Sequence, residues 1–352
     1  MQNLIHEASR WLRSDQCREG SIVKRTSAVV NRFREYVSRE RVEIQSQTGL
    51  SQSQITFQID IASKTIRQIL SAFLRGNHQD ALQKTKDLVR SMKFETISTN
   101  IPLYKCRENS RQFHYSKDEM FHIPYDKRSL VGNQRYSVTG LPCLYLGGSS
   151  YICWEEIGRK DLNTTNFCGY SIVEDVDMFN MLLPSAISSE EQLKRIVLIL
   201  ACSLTAKRDD VFKPEYILPQ CVLHSLIHRS YYSHKPFCIG YYSSHLLGGD
   251  ADYFECDYEN KDLLSRYINY VVPMPSSSEV GYNDKMRNLF NQTDSISLLN
   301  QMVLHPERLM NACSGDAYLA SQFGLIDSIL DVKLGFTPKR KEGDIILATR
   351  TS

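Results

Sequence analysis

The sequence predicts an α+β protein in three stretches: a helical domain over residues 1–98, a mixed α/β domain over 99–275 and a mostly helical extension over 276–352. Three observations lead there. The first proline is Pro102, and only Gly20, Gly49 and Gly76 interrupt the chain before it, which favours continuous helix. From 99 to 275, prolines and glycines punctuate short apolar runs that read as strands, among a few helical stretches. After the loop PSSSEVGYND (275–284) the apolar residues return to helical spacing.

Within the first stretch, ITFQIDIASKTIRQILSAFLRG (55–76) carries apolar residues at helical spacing and stops at Gly76. HQDALQKTKDLVRSM (78–92) reads as the next helix, with Asp80 in its first turn. A helical domain of this kind serves as a scaffold or as an oligomerisation or sensor module. In the middle stretch PCLYLG (142–147), YSIVEDVDMF (170–179), RIVLILACSLT (195–205), PFCIGYYSS (236–244) and YINYVVP (267–273) are strand-like. EEQLKRI (190–196) and EYILPQCVLHSLIHRS (215–230) are helical. The longest apolar run, IVLILACSLTA (196–206), suits a buried strand. In the last stretch, helices are expected near 284–302 and 316–331, then a basic turn, TPKRKEGD, before IILAT.

Composition narrows the function. Net charge is +2, with no global field suited to nucleic acid. Residues 1–100 hold 16 Lys and Arg against 10 Asp and Glu, or +6, so the rest carries −4; that bias fits a solvated helical surface or a basic partner-binding face. No run reaches the ~18 apolar residues of a membrane span, and MQNLIHEASRWLRSD lacks the apolar core of a secretory leader. The ten cysteines form no CxxC and are expected as reduced thiols in a cytoplasmic protein. GxGxxG and GxxxxGK[ST] are absent. His224 and His228, four apart, have no third ligand at helpful spacing, so no metal site is expected; His122, between apolar residues, is expected to pack.

The stretch QRYSVTGLPCLYLGGSSYICWEE (134–156) concentrates an arginine, aromatic residues and two carboxylates. Leu141–Leu146 reads as a strand, Gly147–Ser150 as a turn, and Ser150 as the N-cap of a helix from Tyr151. Successive helix residues point ~100° apart, so only one of Glu155 and Glu156 faces the strand that carries Tyr145. A carboxylate, an aromatic ring and a cation suit a cationic sugar intermediate; taken alone they also fit two solvated glutamates and a core tyrosine.

A larger pattern surrounds this group. MFHIPYDKRSLVGNQRYSVTGLPCLYLGGSSYICWEE (120–156), FKPEYILPQ (212–220) and IGYYSS (239–244) together resemble the RES-domain family, over about residues 99–275. Arg135, Tyr145 and Glu156 keep the family's spacings of ten and eleven residues, and Ile239–Ser243 fits its last element. The resemblance implies an ADP-ribosyltransferase-like fold with a split mixed sheet, and metal-free chemistry on NAD⁺ as substrate. Family toxins hydrolyse or phosphorolyse NAD⁺, or transfer ADP-ribose to protein. It also implies roles: Glu156 beneath the reacting ribose, Arg135 on the pyrophosphate, Tyr145 on the nicotinamide ring and Ser243 on ribose or phosphate. Where relatives read Tyr-Arg-x-Arg, LYKCR (103–107) has Lys105 and Arg107, and the binding role is carried to Arg107. Arg128 is either a further site cation or a solvated charge.

The expectation is thus an NAD⁺ glycohydrolase acting as a toxic effector of toxin–antitoxin or anti-phage type. The flanking helical regions would mediate homo-oligomerisation or control, with an antitoxin or other regulatory protein as a further partner. A protein ADP-ribosyltransferase and a non-catalytic NAD-binding module are the alternatives.

Overall fold

The computed structural model describes residues 3–97, 99, 101–109, 114–207, 209–233, 236–248, 260–298, 318–319, 321–340 and 346–350. It opens with six helices: α1 (Leu4–Arg13), α2 (Asp15–Arg18), α3 (Ile22–Arg39), α4 (Arg41–Thr48), α5 (Gln52–Leu74) and α6 (His78–Val89). Side-chain caps start the long ones: Ser21 accepts from the Lys24 N–H, and Ser51 and Gln54 form a reciprocal capping box. Beyond α5, Gly76 takes φ +81, the left-handed conformation that ends a helix cheaply only at glycine.

The strands that follow are β1 (Glu95–Ile97), β2 (Pro102–Glu108), β3 (Cys143–Gly147), β4 (Thr165–Ile172), β5 (Val176–Met181), β6 (Phe237–Tyr242), β7 (Ile268–Pro273), β8 (Phe290–Gln292) and β9 (Ile296–Ser297). Between them lie α7 (Lys117–Met120), α8 (Ser150–Glu156), α9 (Glu190–Cys202), α10 (Ile217–Ser233), α11 (Ser244–Gly248), α12 (Lys261–Ser265) and α13 (Asp284–Arg287). Then come α14 (Gln322–Lys333) and a hairpin of β10 (Phe336–Arg340) with β11 (Ile346–Arg350).

The main sheet runs β1-β5-β6-β7-β3-β2-β4-β8, with β9 beside β4. It is mixed: β5 and β6 are parallel, and the other pairs are antiparallel. One joint is thin. β2 and β3 pair at a single position, Tyr104 with Gly147, whereas β2 pairs along its whole length with β4 and β3 along its whole length with β7. The two halves of the sheet therefore part on one side of that contact.

The helical face shares its core with the sheet. Helices α3 and α5 pack on α9, α6 packs on α10, and α1 on α11, so buried side chains from Leu4 to Leu330 form one apolar cluster. The composition change near residue 98 marks no break in that core. Arg25 of α3 forms a buried ion pair with Glu215 and also donates to the carbonyls of Cys17 and Thr205 (2.8 and 2.5 Å).

Several sequence expectations are corrected. The run 196–206 is not a strand: α9 covers it to Cys202, begun by Ser189 as N-cap. Every residue from Ile196 to Cys202 is buried, and a helix enclosed on all sides has no polar stripe to reveal its period. The helix expected over 284–302 is instead α13, β8 and β9, because residues 290–292 and 296–297 pair with β4; residues 299–302 lie outside the described residues. The last helix begins at Gln322 rather than 316, where residues 316 and 317 are again outside the described set. The N-cap of α8 is Ser149, with Ser150 its first residue, because Ser149 Oγ reaches the Ile152 N–H at 3.2 Å. Among the described residues no helix is long and apolar enough to cross a membrane, and eight free cysteines are all buried.

Candidate active site

Antiparallel pairing beyond Tyr104 and Gly147 would put Lys105 opposite Leu146 and Cys106 opposite Tyr145. Those four residues instead line a cavity of about 240 Å³ in the wedge between the diverging strands. Glu156 and Cys153 close it from α8 and Ile157 from just beyond, Asn269 and Tyr270 from β7, Tyr241 from β6, Gln134 and Arg135 from a loop, and Tyr216 from a 3-10 turn before α10.

Close packing at a glycine aims α8 at this wedge. A Cβ on Gly148 would lie 2.0 Å from the Ser265 carbonyl, and its N–H donates to Ile268 O (2.8 Å). Only glycine allows that approach between the start of α8 and the start of β7. The seven-residue helix ends with Glu156 on the cavity wall. Glu155 points elsewhere: it is buried and accepts from Arg159 Nε at 2.8 Å. Of the two carboxylates, Glu156 is the one that lines the cavity with Tyr145.

Glu156 is held firmly. Its Oε1 accepts from Ser243 Oγ and from Asn269 Nδ2, both at 2.6 Å. Ser243 is fully buried between β6 and α11; its N–H donates to Tyr267 O (2.9 Å) and its Oγ accepts from the His245 N–H (3.2 Å). Among the described residues Ser244, not Ser243, lines the cavity, so Ser243 meets Glu156 where a ligand contact was expected.

Arg135 borders the cavity while serving the fold. Its Nη1 donates to Cys202 O (2.5 Å) and Leu204 O (3.0 Å), satisfying carbonyls at the C-terminal end of α9, and its guanidinium lies 5.2 Å from the Tyr216 ring centroid. Tyr145 donates its hydroxyl to Tyr136 O (2.9 Å) and presents its ring to the cavity.

Of the two basic residues on β2, Lys105 lines the cavity and Arg107 does not. Arg107 is exposed, donates to Glu119 O (2.9 Å) and stacks 4.5 Å over Tyr115. Lys105 donates to Phe121 O, and burial, helped by Arg107, lowers its pKa to about 8. Arg128 also lies outside the lining; it ties loops together through Gly140 O, Ser276 O and Ser278 O. His122 is buried, with Nδ1 bonded to Ile123 O (2.6 Å) and Nε2 accepting from the Asn283 N–H (2.9 Å); burial lowers its pKa to about 4. It packs as a neutral ring. No group of three potential metal ligands occurs among the described residues.

Sequence reasoning missed Asn269, Tyr216, Tyr241 and Gln134. Asn269 had a signal: it is the one amide in the apolar strand YINYVVP. Tyr216 and Tyr241 sat inside the EYILPQ and IGYYSS blocks without a role.

The fold and site define a mixed α+β chain with a partly open cavity lined by one oriented carboxylate, two cations and several tyrosines. In sequence it is 28% identical to a Bacillus subtilis (strain 168) protein named "Putative toxin YopC", across 76% of this chain and 64% of that protein. The chain thus spans less than two thirds of that relative's length. No family model and no solved structure matches it.

Proposed function

We propose that this chain is an NAD⁺ glycohydrolase of the RES type, acting as a toxic effector. One observation carries the reading: Glu156 faces the cavity with one oxygen anchored by two neutral donors, and Lys105 and Arg135 line the same cavity. The RES motifs, the partly split sheet and the relative named as a toxin support it.

The chemistry suits such a site. Nicotinamide departs neutral from a cationic glycosidic nitrogen, so no general acid is needed, unlike an O-glycosidase. As the C1′–N bond breaks, its electron pair goes to the nitrogen and positive charge develops on the ribose. Glu156 stabilises that oxocarbenium ion where the charge appears. Water then forms the C1′–O bond and loses a proton to solvent, giving ADP-ribose, nicotinamide and H⁺. Lys105 and Arg135 supply positive charge for the pyrophosphate. Tyr145, Tyr216 and Tyr241 offer rings to the nicotinamide. The cavity lies below the ~300–1,000 Å³ usual for whole ligands, so it suits the nicotinamide–ribose end, the adenosine half extending outward.

A time course of nicotinamide release from NAD⁺ by the purified protein, with and without phosphate, tests the reading. Release with free ADP-ribose indicates hydrolysis, and phosphate dependence indicates phosphorolysis. Label from NAD⁺ retained on protein indicates ADP-ribosyl transfer. NAD⁺ that binds and is never consumed, with or without neighbouring gene products, would leave only a binding module.

A further inference from the structure

We propose that Asn269 is a positioning residue for Glu156, which together with Ser243 leaves a single carboxylate oxygen, Oε2, to act on the ligand. The proposal rests on the glycohydrolase reading of the cavity.

Asn269 is an unexpected residue for its place. It lies near the start of β7, a strand flanked by β6 and β3 and otherwise built of Ile268, Tyr270, Val271, Val272 and Pro273. Its backbone is paired on both sides, with Gly147 and with Tyr241, so no ladder bond requires its side chain. A β-branched residue would suit such a strand better, and a buried amide costs free energy unless it is bonded. Asn269 is 6% exposed and spends Nδ2 on Glu156 Oε1.

The geometry of that bond is specific. Asn269 and Ser243 both donate to the same oxygen, from β7 and from the β6–α11 junction. Two donors converging on one oxygen from different elements fix the rotation of the carboxylate. Among the described residues Oε2 accepts no hydrogen bond. The donors are also neutral. A lysine or arginine in their place would orient Glu156 equally well but cancel the negative charge that a developing oxocarbenium ion needs; an amide and a hydroxyl orient it and leave the charge intact.

The test is a set of four proteins assayed for nicotinamide release: wild type, Asn269→Ala, Glu156→Gln and the double variant. Asn269→Ala is expected to lower kcat ~10- to 100-fold, the usual consequence of a catalytic group displaced by a fraction of its reach, with KM within about two-fold of wild type. In the Glu156→Gln background the same substitution is expected to change the residual rate by less than about two-fold, because its effect passes through the carboxylate. Should Asn269→Ala fail to fold, Asn269→Val, suited to a central strand, replaces it. An equal loss in both backgrounds, or wild-type kcat in Asn269→Ala, overturns the positioning role. Wild-type protein that releases no nicotinamide overturns the glycohydrolase reading itself, an outcome distinct from the other two.

Discussion

Ser243 Oγ donates to Glu156 Oε1 at 2.6 Å, across a sequence separation of 87 residues. The bond joins the end of α8 to the N-cap of α11. It turns two residues expected to contact a ligand separately into one unit, in which the serine holds the carboxylate and the carboxylate faces the cavity.

Glu156→Gln is expected to retain the fold, since glutamine Oε1 can accept the same two bonds, and to lower NAD⁺ cleavage ~10²-fold or more, the usual loss when one placed electrostatic stabiliser is removed. Glu155→Gln should leave turnover nearly intact and act on thermal stability, through its pair with Arg159. Nicotinamide release and a melting curve for each variant separate the two. The reverse assignment would follow if Glu155→Gln were the inactive protein.

Arg135→Lys should reduce both stability and ligand affinity. The guanidinium bridges Cys202 O and Leu204 O while bordering the cavity, and a lysine offers a point charge without the fork. Losing such charge-assisted bonds typically costs about 1.5–3 kcal/mol. Calorimetry with NAD⁺ on a Glu156→Gln background, beside a denaturant titration, checks it; unchanged affinity removes Arg135 from the binding site.

On the proposed reading, Lys105 should give NAD⁺ binding a pH dependence. Its pKa of about 8 in the fold means that it is charged below that value and neutral above it. Affinity for NAD⁺ should fall as pH rises through 8, and Lys105→Arg should flatten the profile between pH 7 and about 9.5, because arginine stays protonated. Isothermal titration at three pH values suffices; a flat wild-type profile excludes Lys105 as the anion contact.

Asp331 predicts the same direction for stability. Burial raises its pKa to about 8, and Tyr104 donates to its Oδ1 at 2.6 Å. A raised folded pKa means that the contribution is fully present below the unfolded value near 3.9 and is lost as pH rises through 8. Asp331→Asn keeps the acceptor without the ionisation. Its stability relative to wild type should therefore grow from pH 4 to pH 8, as read from denaturant midpoints.

Deleting residues 1–95 should yield insoluble or inactive protein rather than an unleashed enzyme. The deletion removes Arg25, the ion-pair partner of Glu215, which stands beside Tyr216 in the cavity wall. It also uncovers Leu246 and Leu247 of α11, the helix that Ser243 caps. Light scattering and a growth assay read the outcome. A soluble truncated protein with full turnover would refute it.

What was legible in the sequence was local. Arg135, Tyr145 and Glu156 belong to one strand–turn–helix passage, so their spacing carries directly onto one cavity. Lys105 and Arg107 share a strand face by alternation, and the choice between them depends on where β2 leaves β3, which only the strand pairing decides. Asn269 and Tyr241 arrive through the β3-β7-β6 order, and Ser243's partner through a bond to a helix far away in sequence. The second half of α9 was illegible for the opposite reason: EEQLKRI at its start reads as helix, but from Ile196 to Cys202 every residue is buried, which erased the periodicity by which helices are recognised.

The anchoring of Glu156 has a consequence for synthesis. Ser243 and Asn269 are translated long after the carboxylate they hold, and the α14 carboxylate Asp327, which accepts from the Ser150 N–H at the start of α8 (3.0 Å), comes later still. At a typical ~5–20 residues per second, a nascent chain carries Glu156 for several seconds before its anchors exist. On the glycohydrolase reading proposed above, each ribosome would hold a chain with an unassembled site until Asp327 has been made, leaving an interval in which an inhibitory partner could engage it before its first turnover.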